Sequence, residues 1–170
     1  MDLKKFVRDV PDFPNPGILF KDITPVLIDP AAFGAAIGGM VKSLEGVDFD
    51  FVLGPESRGF LFGAPLAARL GKGFVPVRKA GKLPRETLRA DYLLEYGSAS
   101  IEIHRDAVIA GARYAVADDL LATGGTAKAV AELIESNGGV VAAFVFFIEL
   151  SNLGGRDTLA GYDVKSVLIY

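Results

Sequence analysis

Apolar runs and amphipathic spacing alternate along the second half of the chain. Residues 114–117 form a short apolar run, and residues 140–148 form a longer one without a polar position. Between them, apolar residues recur at i, i+3, i+4 and i+7 from Ala127, which predicts an amphipathic helix. A continuous apolar run is typical of a strand that is covered on both faces of a parallel sheet. The pattern therefore predicts a strand–helix–strand unit.

The same alternation extends through the rest of the chain. Residues 31–44 are rich in alanine and glycine and predict a helix, and a second helix is expected through residues 66–70, with Pro65 in its first turn or kinking it. Further short strands are predicted at residues 50–54, 73–77, 100–104 and 164–169. Strands that alternate with helices favour an α/β fold, in which a central, mainly parallel twisted sheet is flanked by helices.

Two segments lack such patterning. Residues 1–30 contain five prolines and are interpreted as an irregular arm after a short helix near Phe6. Residues 79–98 are polar and basic, and their leucines are too scattered to form a continuous buried face, so this excursion should be loosely held without ligand. We expect one domain over residues 1–170, with the arm at 1–30 and a mobile loop at 79–98.

Composition narrows the possible functions. Apolar residues make up 51% of the chain and charged residues 23%, which excludes a disordered protein and points to an oligomer. The absence of cysteine excludes a disulfide scaffold, a thiolate nucleophile and a cysteine-ligated metal. His104 is the single histidine, so a multi-histidine metal site is excluded, and we expect it to face solvent without a catalytic role.

Charge and hydropathy bear on partners and location. The net charge of −3 argues against a nucleic-acid coat. The run 140–148 is about half the roughly 20 residues that a membrane span requires. The first residues carry scattered charges and no apolar core, so no signal peptide is expected and the cytoplasm is the expected compartment.

The clearest chemical signal is the string Asp118-Asp119-Leu120-Leu121-Ala122-Thr123-Gly124-Gly125-Thr126. It joins a predicted strand to a predicted helix, where ligands of open α/β sheets bind. Glycine lets backbone N–H groups converge, and the helix start adds partial positive charge, which together favour a phosphate cradle. By itself, Thr-Gly-Gly-Thr fits an ordinary turn with a threonine N-cap equally well. The adjacent acids favour function, because they must face sugar hydroxyls, a metal or developing positive charge.

A second strand-to-helix junction is the string Gly54-Pro55-Glu56-Ser57-Arg58-Gly59-Phe60-Leu61-Phe62-Gly63. Arg58 lies between glycines at the ligand edge, where an anion clamp is favoured over a surface salt bridge. A serine-hydrolase elbow is disfavoured, because one residue too many separates Gly54 from Ser57 and His104 would be the only base.

The string at 118–126 resembles the phosphoribosyl-diphosphate (PRPP) signature of type I phosphoribosyltransferases. The wider match is to the adenine phosphoribosyltransferase family, and it covers nearly the whole chain. The segments that carry it are residues 13–25, which resemble the family's hood over the base; 57–63, its diphosphate loop; 78–84, which lead into its mobile catalytic loop; and 94–97 within that loop. The resemblance implies the type I phosphoribosyltransferase fold. It also implies purine salvage, in which adenine and PRPP give AMP and diphosphate with Mg²⁺, and together with the apolar excess it predicts a homodimer.

The resemblance also implies roles for single residues. The 5′-phosphate is expected at Ala122, Thr123, Gly124, Gly125 and Thr126, and the diphosphate at Ser57, Arg58, Arg78 and Lys79. Asp118 and Asp119 are expected to face the ribose hydroxyls and the cationic anomeric centre. Phe20 and Leu120 are expected to sandwich adenine, whose edge the backbone of Leu19 and Lys21 reads. Glu95 is the expected acid/base, Tyr96 the residue that seals the loop, and Mg²⁺ is expected to bind through PRPP and water, with no direct protein ligand.

The resemblance further implies a cis peptide bond at Glu56–Ser57. Two alternatives stay open. One is a regulator that binds PRPP or a purine without chemistry, which would be expected to carry a DNA-binding domain or a degraded loop. The other is a transferase for xanthine or hypoxanthine, whose site would need a side chain that addresses O6.

Overall fold

The computed structural model describes residues 1–94 and 97–170 of the chain. It divides into two compact units, residues 1–39 and residues 40–170. No helix within the described residues combines the length and apolar composition that a membrane span requires.

The first unit contains more regular structure than its prolines suggest. A 3-10 helix at Leu3–Phe6 precedes strands β1 (Arg8–Pro11) and β2 (Leu19–Asp22), which pair antiparallel, and helix α1 (Thr24–Ile28) follows. The expectation of an irregular arm at 1–30 is therefore wrong. Prolines are compatible with this hairpin because it has only two strands, and a proline at a strand end gives up no hydrogen bond of a central ladder.

Helix α2 (Pro30–Ser43) confirms the helix predicted at 31–44, and the boundary between the two units falls within it. The Asp29 carboxylate accepts hydrogen bonds from the N–H groups of Ala31 and Ala32, at 2.9 and 2.8 Å. Asp29 thereby pairs two of the amides that have no partner within a helix's first turn.

The second unit is built on a sheet of seven strands. Its strands are β3 (Phe51–Pro55), β4 (Gly73–Lys79), β5 (Thr87–Leu94), β6 (Gly97–His104), β7 (Arg113–Leu121), β8 (Val140–Glu149) and β9 (Val164–Ile169), in the spatial order β5-β6-β4-β3-β7-β8-β9. The five strands from β4 to β9 in this order pair in parallel, and β5 and β6 extend the edge antiparallel. The predicted α/β class with a mainly parallel sheet is confirmed.

Helices connect these strands and cover the sheet. They are α3 (Arg58–Leu70), α4 (Gly125–Glu135) and the short α5 (Gly155–Thr158), with 3-10 turns at Arg105–Ala107 and Ser151–Leu153. Helix α3 begins at Arg58, so Pro65 lies inside the helix and not in its first turn, and of the two alternatives given for Pro65 only the kink stays open. Gly59 and Gly63 are buried in the helix, where a larger residue would collide with Asp118 and Phe74.

Strand β8, next to the edge strand β9, is buried on both faces, as its apolar run predicts. Phe147 stacks on Phe62 of α3 with ring centroids 5.1 Å apart. Phe144 and Phe146 belong instead to the core cluster with Val130 of α4. Alternate residues of a strand point to opposite faces, so helices on both sides are needed to cover an unbroken apolar strand.

Two further predictions need correction. Strand β7 does not end before the aspartates: Asp118 pairs with Phe146 and Leu120 with Ile148, because the long β8 supplies backbone partners that far. Most of the excursion at 79–98 is strand, since β5 pairs with β6 along its whole length. Leu88 is buried in the core cluster, so one of the scattered leucines anchors this segment, and the prediction that they form no continuous buried face is not contradicted.

Candidate active site

A cavity of about 310 Å³ opens at the carboxyl ends of β3 and β7. Parallel strands of an open α/β sheet present ligands at this edge. The cavity brings together the two strings that the sequence singled out. Its lining residues are Pro55, Glu56, Ser57, Arg58, Asp118, Asp119, Leu120, Leu121, Ala122, Thr123, Gly124, Gly125, Thr126, Ala127 and Phe146. The predicted juxtaposition of residues 57–58 with residues 118–126 is therefore present.

One wall is the turn from β7 into α4, which we call the phosphate loop and define as residues 122–126. Gly124 has φ +84°, a left-handed conformation that glycine adopts without strain, and it is the N-cap of α4. Amide N–H groups in the first turn of a helix have no partner within it, and the helix dipole makes this end positive. The Thr123 and Thr126 side chains add hydroxyl donors. This wall suits an anion such as a phosphate group.

The opposite chemical character comes from Asp118 and Asp119. The Asp119 side chain is only 6% exposed, and its backbone N–H donates to the Asp118 carboxylate at 2.8 Å. Burial, and then the charge of Asp119, raise the pKa of Asp118 well above its usual value. Burial also raises the pKa of Asp119, and Arg58 acts against that rise. Asp119 is therefore the member of the pair that ionises more readily.

Arg58 joins the acidic pair to the second string. Its Nε lies 3.1 Å from an Asp119 carboxylate oxygen, and its side chain is 40% exposed. The first residue of α3 thus carries a positive charge beside the buried aspartates with part of its surface open. A guanidinium in this position can hold Asp119 in its ionised form and meet an anionic ligand.

Glu56 forms a cluster with the basic residues at the end of β4. One carboxylate oxygen lies 3.0 Å from Arg78 Nε and accepts the Lys79 N–H at 3.2 Å, and the other lies 2.5 Å from Lys82 Nζ. The hydrogen bond from Lys82 is the largest of the effects that lower the pKa of Glu56 to about 2. The Glu56–Ser57 peptide bond is cis, which confirms the prediction made for it.

The residues expected to bind adenine lie in both units. In the first unit, Leu19 is exposed and Phe20 is half-buried. The Phe20 ring packs edge-to-face on Phe13, with ring centroids 5.1 Å apart. Lys21 is buried, and its Nζ lies 2.6 Å from an Asp9 carboxylate oxygen. In the second, Leu120 lines the cavity.

The predicted loop residues Glu95 and Tyr96 lie outside the described residues. The described part of the same hairpin reaches the phosphate loop: the Tyr92 hydroxyl lies 3.3 Å from Thr126 Oγ1. No feature of the sequence pattern assigned a role to Tyr92.

His104 is placed differently from expectation. It is half-buried at the end of β6, and its Nδ1 is buried without a hydrogen-bond partner among the described residues. It is not among the residues that line the cavity. The expectation that it faces solvent is therefore only partly met.

Besides Tyr92, the sequence reasoning missed three residues near the site. Glu56 lies inside the quoted string, but nothing in the pattern showed that it would hold two cations. Gly155 and Thr158 come from α5, far along the chain, and contact the phosphate loop. The paired glycines at 154–155 were the available signal, since a close backbone approach is one reason for glycine.

Comparison with known proteins agrees with this geometry. The family model described as phosphoribosyl transferase domain matches residues 27–167. Adenine phosphoribosyltransferase of Caldanaerobacter subterraneus subsp. tengcongensis is 59% identical over 98% of this chain and 96% of its own length. The crystal structure of adenine phosphoribosyltransferase from Thermoanaerobacter pseudethanolicus is 57% identical with a TM-score of 0.97, covering 99% of this chain and 98% of that one.

A more distant structure is also similar. It is adenine phosphoribosyltransferase of Saccharomyces cerevisiae, complexed with D-2,5-dideoxy-2,5-imino-altritol 1,6-bisphosphate and adenine. It is 42% identical with a TM-score of 0.92 and covers 98% of this chain and 97% of its own. With relatives this similar over nearly their whole length, and with the phosphate loop and the acidic pair on one cavity, the chain belongs to the adenine phosphoribosyltransferase family of phosphoribosyltransferases.

Proposed function

We propose that this protein is an enzyme of purine salvage that transfers the 5-phosphoribosyl group of PRPP to adenine, giving AMP and diphosphate. The observation that carries the proposal is the cavity that faces a helix N-terminus on one side and a buried acidic pair on the other. The yeast relative, crystallised with a sugar-like bisphosphate and adenine, supports the same pair of substrates.

The 5′-phosphate is assigned to the phosphate loop, residues 122–126. The first turn of α4 directs amide donors and a positive dipole end at this point, and the two threonine hydroxyls complete the donor set. Binding here anchors the sugar at the end away from the reacting carbon. Such remote anchoring orients the anomeric carbon without touching it.

Asp118 and Asp119 are assigned to the ribose. Their carboxyl groups can accept hydrogen bonds from the ring hydroxyls, and a fixed negative charge favours the positive charge that develops at the anomeric carbon as the diphosphate leaves. Arg58 opposes the rise that burial causes in the pKa of Asp119 and so favours the ionised form that this role needs. Phosphate binding and ribose stabilisation are compatible because the acids lie beside the phosphate loop. Acids within the loop would repel the phosphate.

The leaving diphosphate is assigned to Ser57, Arg58, Arg78 and Lys79. Arg58 is part-exposed at the cavity, and Arg78 pairs with Glu56, the residue before Ser57, at 3.0 Å. Positive charge on these side chains takes up the charge that the departing diphosphate carries.

Magnesium is the expected cofactor, bound through PRPP and water. The cavity fits an ion bound in this way, because Mg²⁺ keeps several waters and binds substrate phosphates, and the carboxylates of Asp118 and Asp119 would accept hydrogen bonds from those waters. When bound, the ion neutralises phosphate charge on the substrate.

The remaining roles rest on the family resemblance. Phe20 and Leu120 are assigned to the two faces of adenine, and the backbone of Leu19 and Lys21 to its edge. Glu95 is assigned to proton transfer at the purine, and Tyr96 to closing the loop over the site. A closing loop would exclude water from a substrate that water can hydrolyse.

The domain organisation, assembly and location are also proposals. We infer one phosphoribosyltransferase domain over residues 1–170, with the hood at 1–30 and the mobile loop at 79–98. A homodimer is supported by the apolar composition and by exposed apolar side chains such as Ile28 and Ile109. A monomeric sedimentation profile at micromolar concentration would contradict it. Independence from nucleic acid and a cytoplasmic location stay predictions.

The test is turnover of PRPP with adenine, hypoxanthine, guanine and xanthine in parallel, with AMP and diphosphate both quantified. We expect adenine alone to be used at a high rate. Equal or faster use of a 6-oxopurine would refute the specificity, and binding of PRPP without turnover of any base would favour the regulator.

Two variants make the test specific to this cavity. Asp119→Asn should abolish most of the turnover, since it removes the ionised acid beside Arg58. Asp163→Asn is the matched control, because Asp163 is an exposed acid paired with Lys165 on β9 and does not line the cavity. Equal activity in both variants would contradict the site.

A further inference from the structure

Helix α5 lies against the outer side of the phosphate loop at a distance that only glycine permits. Gly155 is buried, and a Cβ atom added there would lie 2.3 Å from the carbonyl oxygen of Ala122 and 2.7 Å from Leu121 Cδ1. Both distances are far below a normal contact. Any side chain at this position would therefore push the first residue of the phosphate loop away from α5.

The contact is reciprocal. A Cβ atom added at Gly124, whose φ is +84°, would lie 2.9 Å from the carbonyl oxygen of Gly155 and 3.0 Å from Thr158 Cβ. Glycine thus stands on both sides of the contact, and the two backbones touch directly. The position of the loop relative to α5 is fixed by backbone packing and not by adjustable side chains.

One hydrogen bond adds direction to this packing. Thr158 Oγ1 donates to the carbonyl oxygen of Thr123 at 2.7 Å. In a trans peptide the C=O and N–H point in opposite directions, so holding the Thr123 carbonyl towards α5 turns the Gly124 N–H away from it. Thr123 and Gly124 line the cavity, so the bond sets the orientation of a backbone donor in its wall.

Helix α5 is itself tied to the sheet. Arg156 binds the buried Glu149, the last residue of β8, through two bonds of 2.7 and 2.8 Å, and it also donates to the Val164 carbonyl at 3.0 Å. Glu149 accepts a further bond from Ser166 Oγ on β9 at 2.6 Å. The support of the phosphate loop is therefore anchored to two strands of the parallel sheet.

We propose that Gly155 and Thr158 are positioning residues for the 5′-phosphate subsite. They act through the backbone of residues 122–124 and touch no substrate themselves. The inference rests on the proposed function in one respect, the assignment of the phosphate group to this loop.

The test compares two probes that occupy different parts of the site. AMP carries the 5′-phosphate, and inorganic diphosphate with Mg²⁺ belongs to the subsite assigned to Arg58. Binding of each is measured by titration calorimetry to wild type, Gly155→Ala and Thr158→Val. We expect both variants to bind AMP about tenfold more weakly, the scale of one lost hydrogen bond to a charged group, and to bind diphosphate within about twofold of wild type.

Matched variants separate positioning from general damage. Gly154→Ala is the control for Gly155→Ala, because Gly154 has φ +69° and is equally intolerant of a side chain, yet a Cβ there meets only Asp157 at 3.8 Å. It should keep wild-type AMP affinity. Thr158→Ser keeps the hydroxyl and should recover the AMP affinity that Thr158→Val loses. In steady-state kinetics the loss should fall on the KM for PRPP more than on kcat.

The outcomes separate failure of this inference from failure of the proposed function. Wild-type protein that binds no AMP overturns the proposed function. Wild-type binding of AMP together with unchanged affinity in Gly155→Ala and Thr158→Val overturns the inference alone, as does an equal loss for both probes. If Gly155→Ala does not fold, the comparison of Thr158→Val with Thr158→Ser decides.

Discussion

Replacing Asp118 by asparagine should stabilise the protein while removing its activity. The change is isosteric, which matters because Asp118 Oδ1 lies where a Cβ atom at Gly59 would come within 2.9 Å of it. The asparagine oxygen can still accept the hydrogen bond from the Asp119 N–H, which is 2.8 Å long. The substitution therefore removes a buried ionisable group and changes the local packing little.

The sign of the stability change follows from the direction of the pKa shift of Asp118. Burial and the neighbouring Asp119 raise the pKa of Asp118 in the folded protein. The folded state then holds a proton that the unfolded state has lost, so stability falls as pH rises from the usual aspartate pKa to the raised one, and the cost is complete above it. A single stabilising substitution commonly contributes about 0.5–2 kcal/mol. For a chain of 170 residues this corresponds to a rise in Tm of about 1–8 °C.

The assay is thermal unfolding of wild type and Asp118→Asn at one protein concentration, from about pH 8 down to about pH 4. We expect the gain in Tm to be largest at the alkaline end and to shrink as the pH falls, while kcat drops by about 10²–10³-fold. Asp163→Asn, at an exposed ion pair, should show no such pH-dependent gain. A lower Tm for Asp118→Asn, or a gain that is independent of pH, would refute the reasoning.

Two other substitutions test the basic cluster and the loop. Glu95→Gln should lower turnover by about 10²–10⁴-fold if this residue transfers a proton, and it should change AMP binding far less; normal turnover would contradict the role. Glu56→Gln should lower Tm at neutral pH, because Lys82 and Arg78 hold the pKa of Glu56 at about 2 and its stabilisation is present above the usual value near 4.5. The difference from wild type should vanish as pH falls towards about 2, and a difference that persists there in Tm measurements would count against this ion cluster.

Local patterns in the sequence determined much of the second unit. The unbroken apolar run at 140–148 predicted a strand covered on both faces, and Phe147 and Phe144 do pack on opposite sides of β8. The string at 118–126 identified the phosphate loop, because a left-handed glycine at a helix start is a local backbone requirement that nearby residues satisfy. Such features need no information from distant parts of the chain.

Tertiary structure decided what depends on partners far away in sequence. Strand β7 continues through Asp118 because β8 supplies its hydrogen bonds, and Leu88 is buried because β5 packs on the core. Glu56 forms its ion pair with Arg78 only because the fold of β4 brings Arg78 beside it. Helix α5 supports the phosphate loop from a distant part of the sequence. Gly155 packs on Ala122, and Thr158 bonds to Thr123 across a separation of 35 residues. Periodicity and propensity describe neighbours along the chain, whereas these contacts are set by how the sheet brings distant segments together.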